Sequence, residues 1–154
     1  MTRVVTLRSD DAGACVALEI AAFDPPDRFP AHVWRRLIGP RQNAGSVIAL
    51  GIRGPRQSLA GAILVLLRAN SRVARIYSVA VDPAQRRRGL GSQLISSVIH
   101  RMPKRCTSLV LEVRPDNTTA RALYARLGFV CTGTRPDYYV DGSAGLTYVR
   151  DCQA

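Results

Sequence analysis

Two stretches of this 154-residue sequence carry side chains whose types and spacing suit chemistry. The first runs Val79-Ala80-Val81-Asp82-Pro83-Ala84-Gln85-Arg86-Arg87-Arg88-Gly89-Leu90-Gly91-Ser92, a strand that turns into a helix. The N–H groups opening a helix have no internal acceptors, and the macrodipole gathers about half a positive charge there. Such a terminus can bind a pyrophosphate. Gly89 and Gly91 let phosphate oxygens approach the backbone with no Cβ in the way, and three arginines add attraction. The second stretch, from Leu109 to Phe129, holds an acid and a phenol twelve residues apart, Glu112 and Tyr124.

Each of these residues has more than one reading. A dinucleotide fingerprint would need a third glycine where Leu94 stands, and a Walker A loop would need a Gly-Lys pair that is missing. The arginine run alone fits a solvated turn or a nucleic-acid patch; strand, turn, paired glycines and helix in order favour phosphate. Glu112 interrupts an apolar strand and shares a face with Ser108 and Val110. A carboxylate there must be paired, solvated or in use, so it either joins an ion pair with Arg75 or Arg114 or does acid–base work. Tyr124 lies in the apolar stripe of a helix, where packing explains it and its hydroxyl still needs a partner if buried.

The elements that must position them follow from patterning. Val4–Arg8 alternates like a short strand. Ser9 suits the cap of a helix with the stripe Ala12, Val16, Ile20 and Phe23. Prolines break it, and Ala31–Ile38 reads as a second helix, followed by a loop. Ser46–Ile52 and Leu59–Arg68 form a hairpin, and Val73–Val81 is a third strand. A helix from about Gly89 to Arg101 precedes the strand Thr107–Val113. Asp116 or Asn117 caps the next helix, with Ala120, Leu123, Tyr124 and Leu127 inward, and Gly128 ends it. Phe129–Thr134 and Leu146–Arg150 are the last strands. Strand and helix alternate in the middle, so the expectation is a single α/β domain over residues 1–154. Its sheet is mixed, parallel at the centre, with hairpins outside and helices on its faces.

Composition narrows the class. Apolar residues make up 47%, enough for a core. No apolar run is long enough for a membrane span, and the N-terminus has no apolar signal core, which predicts a cytoplasmic protein. Cys15, Cys106, Cys131 and Cys152 are scattered, and neither His32 nor His100 sits at ligand spacing from them, which predicts no metal. The net charge of +11, nearly all from arginine, attracts anions without choosing among nucleic acid, acidic protein and a polyphosphate cofactor.

The Arg86-x-x-Gly89-x-Gly91 run after Val79-Ala80-Val81 resembles the signature of the GNAT acetyltransferases. The resemblance implies that Arg86 and the amides from Arg87 to Ser92, those of Arg88, Gly89, Leu90 and Gly91 among them, hold the pyrophosphate of acetyl-CoA. It also implies that Val79 and Val81 pair through their backbones with the pantetheine arm. Glu112-Val113-Arg114, Asn117, Ala120, Leu123-Tyr124, Gly128-Phe129 and Tyr138-Tyr139 further resemble the bacterial ribosomal-protein-alanine branch of that family. By that resemblance Glu112 is the general base, Tyr124 the general acid at the sulfur, and Asn117 a coenzyme A contact. The fold implied is a mostly antiparallel sheet with a central, splayed parallel pair of strands.

The first half departs from that branch, because Trp34 lies deeper in a basic helix. Trp34, Tyr138 and Tyr139, with Asp24 and Asp27, are expected to line the acceptor site, or else to be caps, core or surface aromatics. The expected acceptor is an amine, a protein N-terminus in the branch it resembles. The alternatives are a small-molecule amine and, from another class, a non-catalytic domain binding coenzyme A or nucleic acid. An edge strand near the C-terminus would support a homodimer, although a monomer serves equally.

Overall fold

The computed structural model describes residues 3–152. The chain forms β1 (Val4–Thr6), α1 (Ala12–Ala22), α2 (Ala31–Leu37), α3 (Pro40–Asn43), β2 (Val47–Arg53), β3 (Leu59–Leu67) and β4 (Val73–Val81). There follow α4 (Leu90–Arg101), β5 (Ser108–Val113), α5 (Thr118–Arg126), β6 (Val130–Arg135) and β7 (Gly145–Asp151). One seven-stranded sheet has the order β1-β2-β3-β4-β5-β7-β6. Among the described residues only β4 and β5 run parallel; every other neighbouring pair is antiparallel.

The near-continuous apolar run of β3 puts it mid-sheet, covered on both faces. On one face Leu90, Leu94, Ile95 and Val98 of α4 and Tyr124 of α5 pack on the sheet. On the other, Cys15 and Leu18 of α1 and Trp34 and Leu37 of α2 close a second cluster. The sheet is therefore sandwiched between two helical layers.

The first helix differs from its expected pattern. Ile20 is 54% exposed, whereas Glu19 is 1% exposed. The inward row is Ala12, Cys15, Leu18 and Glu19. Ser9 opens a short 3₁₀ turn, Ser9–Asp11, and makes no capping bond; the Arg8 N–H is instead taken by Asp11 Oδ2 at 2.8 Å. The segment expected to be a loop after α2 contains the single-turn helix α3.

Candidate active site

The central strands part. β4 and β5 pair only at Val73–Ser108, Ala74–Leu109 and Arg75–Val110. Beyond that point β5 stays with β7 to Val113–Leu146, and β4 stays with β3 to Val81–Gly61. A bulge helps to open the fork: Ile76 faces Val65 and Ser78 faces Leu64, leaving Tyr77 as the extra residue. The Asp82 N–H bonds Ala60 C=O at 2.8 Å. Antiparallel alternation then points the polar backbone of Ala80 at β3 and that of Val79 and Val81 into the gap.

At the head of the gap, Asp82 Oδ1 accepts the Ala84 N–H at 3.0 Å and shapes the turn Pro83–Gln85. Arg87 and Gly89 both take positive φ, 68° and 72°. The first bond of α4 runs from Gln93 N–H to Gly89 C=O at 3.0 Å. The backbone N–H groups from Arg87 to Ser92 make no hydrogen bond among the described residues. Arg86, Arg87 and Arg88 are exposed, and Arg86 Nη2 donates to Ala22 C=O at 3.4 Å. Leu90 is buried in the core, so only its backbone is free. The two glycines differ in role. A Cβ at Gly89 would meet open space, but one at Gly91 would lie 3.2 Å from Leu123. Gly91 is small for the packing of α4 against α5, not for access to its backbone.

Glu112 lies just beyond the fork. Its side chain is 1% exposed, and its carboxylate is paired with Arg75 and accepts the Thr147 hydroxyl at 3.0 Å. Arg135 lies at 4.0 Å. Arg75, not Arg114, is thus the ion-pair partner. Tyr138 also reaches it: burial raises the phenol's pKa first, and the Glu112 charge and a hydrogen bond to Glu112 add to this.

Tyr124 approaches from the other side. It belongs to the cluster with Leu111 and Val113, the residues that alternate with Glu112. Its ring lies 5.7 Å from Phe129 and 6.2 Å from Tyr148. The residue is 7% exposed, and burial pushes its pKa to about 12. Its hydroxyl makes no hydrogen bond among the described residues. Acid and phenol thus sit on opposite faces of one sheet, where only the parted strands connect the faces. Asn117 caps α5, its Oδ1 accepting the Ala120 N–H at 3.1 Å.

The loops around Glu112 are joined by Arg114. Its Nε donates to both carboxylate oxygens of Asp27 at 2.9 Å and its Nη2 to Oδ1 at 2.5 Å; it also reaches Asp141 at 3.1 Å and covers the Tyr139 ring at 4.1 Å. Asp27 precedes α2, while Tyr139 and Asp141 lie between β6 and β7. Tyr138 and Tyr139 meet edge-to-face at 4.9 Å. Burial, followed by charge interactions with Tyr138 and Asp27, raises the pKa of Tyr139. Trp34 does not line this region. It is 1% exposed, turned into the core with Leu37, because the apolar side of the short helix α2 faces the sheet.

Sequence reasoning missed Glu19. Ser78 donates to its Oε1 at 2.6 Å and the Phe29 N–H to its Oε2 at 3.4 Å. Trp34 Nε1 has no hydrogen-bond partner among the described residues, yet its N–H lies near enough to Glu19 to favour the carboxylate. Burial outweighs these contacts and raises the Glu19 pKa. One acid thereby links α1 to the bulged strand and to the loop before α2. The spacing Ala12, Cys15, Leu18, Ala22 was a usable signal for this inward face.

Comparison with known proteins identifies the family and the fold. The profile of the Acetyltransferase (GNAT) family matches residues 16–129. N-alpha-acetyltransferase RimI of Mycobacterium tuberculosis (strain ATCC 25618 / H37Rv) is 32% identical over 149 residues, covering 92% of this chain and 87% of that protein. An uncharacterized Mycobacterium leprae protein, ML0378, is 33% identical over 94% of this chain, which spans only 39% of that longer relative. The crystal structure of the ribosomal-protein-S18-alanine N-acetyltransferase from Escherichia coli superposes with a TM-score of 0.83 at 25% identity, covering 100% of this chain and 96% of that one.

Proposed function

Because the chain belongs to the acetyltransferase (GNAT) family, we propose that it transfers an acetyl group from acetyl-CoA to the α-amine at a protein N-terminus. The observation that carries this reading is the row of unused N–H groups from Arg87 to Ser92, opening onto the gap between β4 and β5. The row suits a diphosphate. Val79 and Val81 offer their backbone edge to the pantetheine arm, as a neighbouring strand would. An N–H on that edge, held near the thioester carbonyl, stabilises the oxyanion and contributes about 3–4 kcal/mol.

In this reading Glu112 accepts the proton of the α-ammonium, directly or through one water. An α-amine has a pKa of about 8, so much of it must lose a proton before it attacks. Tyr124 is protonated at neutral pH, the form a donor needs, and burial raises its pKa further still. A phenol at about 12 gives its proton uphill to a thiolate of ordinary basicity, about 8.5. Tyr124 therefore contributes chiefly by hydrogen bonding to the sulfur as charge develops there. Tyr138, Tyr139 and the loop before α2 border the face from which the amine enters. The N-terminal acceptor is supported by relatives so named in Mycobacterium tuberculosis and Escherichia coli.

The test is release of free coenzyme A thiol from acetyl-CoA, with N-terminal peptides in one panel and small amines in the other. Turnover requiring a peptide α-amine supports the proposal. Turnover confined to polyamines or drug-like amines replaces the acceptor, and no turnover with any amine removes the activity.

A further inference from the structure

The free edge of β1 borders a groove of about 770 Å³, separated from the parted strands by β2 and β3. Arg3, Arg8, Arg53 and Arg101 line it, with Gly39 and Gln42 closing one side. Asp11 neutralises Arg53 at 2.7 Å. Arg3, Arg8 and Arg101 make no ion pair among the described residues; Arg101 Nη1 reaches the Thr6 hydroxyl at 3.3 Å.

The groove also has an unused backbone edge. Leu7 N–H bonds Ala49 C=O at 2.9 Å, and β1 pairs with β2 in the register Val5–Gly51 and Thr6–Leu50. By antiparallel alternation, the N–H and C=O groups of Val4 and Thr6 point away from β2, into the groove. No hydrogen bond is recorded for these groups among the described residues.

We propose that this groove docks an extended acidic segment of a partner protein, which adds to the sheet as a strand beside β1. A peptide strand supplies donors and acceptors in alternation and so satisfies both the N–H and C=O groups of Val4 and Thr6. A phosphodiester or polyphosphate carries acceptors only and leaves the two carbonyls unmatched. Carboxylates on alternate residues would meet Arg101, which reaches Thr6 on that face, and Arg8, two residues on along the same face, as charge-assisted partners. A second copy of the chain, at +11, is repelled from a cationic groove. The catalytic proposal is not required for any of this.

The probe is a fluorescently labelled peptide of alternating Glu and Val, titrated with the full chain and followed by anisotropy. Saturable binding is expected at low salt, weakening as salt screens the arginines. The double variant Arg8→Glu, Arg101→Glu is expected to weaken it by about tenfold or more. Thr6→Pro removes an outward N–H and leaves the ladder to β2 intact, so it is expected to weaken binding with little change in melting temperature or acetyl transfer. The proposal is overturned by absence of saturable binding, or by equal affinity for a control peptide with Gln in place of every Glu. It is overturned equally by binding that Thr6→Pro leaves unchanged, by tighter binding of RNA or polyphosphate, or by dimerisation through this edge.

Discussion

A buried carboxylate that already has partners is held in place before any substrate arrives. Glu112 is paired with Arg75 and hydrogen-bonded by Thr147, so its geometry owes little to the acceptor. Replacing it by Gln keeps the shape and removes the basic oxygen. Turnover is then expected to fall by about 10²–10⁴, while calorimetry finds acetyl-CoA affinity nearly unaltered; unchanged turnover would leave Glu112 a structural ion-pair partner. Tyr124→Phe is expected to slow thiol release by about tenfold to a hundredfold, the worth of a hydrogen bond to a developing charge. A wild-type rate would assign Tyr124 to packing beside Phe129 and Tyr148 alone. Glu19 has a different signature. Its folded pKa is raised above the ordinary value of 4.5, so its contribution to stability is complete below that value and is lost as pH rises through the folded pKa. Chemical denaturation across this window is expected to show the wild type losing stability relative to Glu19→Gln as pH increases. Parallel curves would place the Glu19 titration elsewhere.

Among the elements, the turn into α4 is the most demanding. Gly89 has a φ of 72° with open space where a Cβ would stand. Valine there is strained by about 1–2 kcal/mol and adds bulk beside the unused amides. Gly89→Val is expected to weaken acetyl-CoA binding measured by calorimetry, with only a modest fall in melting temperature; normal affinity would separate this helix end from the cofactor. This element was legible because its message is local: a strand, a turn-forming Asp-Pro, and glycines at fixed offsets. The hairpin of β2 and β3 was legible for the same reason, as was a cap at Asp116 or Asn117, of which the structure uses Asn117. α1 was not. Its stripe was read through Ile20, since a carboxylate is rarely an inward residue, yet Glu19 faces in because Ser78 and Phe29, far along the chain, supply its hydrogen bonds. The inward turn of Trp34 and the packing role of Gly91 beneath Leu123 were hidden likewise, as neither partner is a sequence neighbour.

For the whole molecule, the sheet behaves as two leaves, β1 to β4 and β5 to β7, stitched by three residue pairs. Arg75 and Arg114 add cross-links between the leaves, the second reaching Asp27 before α2. Arg114→Met is expected to raise hydrogen exchange in the segments around Asp27 and Asp141 and to raise KM for a peptide acceptor, with acetyl-CoA affinity kept. Unchanged exchange in both segments would deny the clamp. The pairing of strands at the centre was foreseeable from the alternation of strands and helices; the extent of their parting was not, because it depends on the bulge at Tyr77.

Glu112 and Tyr124 reach the gap from opposite sides of a septum one strand thick. Traffic through such a partition need not share a doorway: a bulky polypeptide can stay seated on one side while the spent carrier is exchanged on the other. Two fragments that each occupy one side can therefore be tethered through the opening. Joining them turns the second capture into an intramolecular event, so a linked compound should outbind either half by far more than their separate strengths suggest.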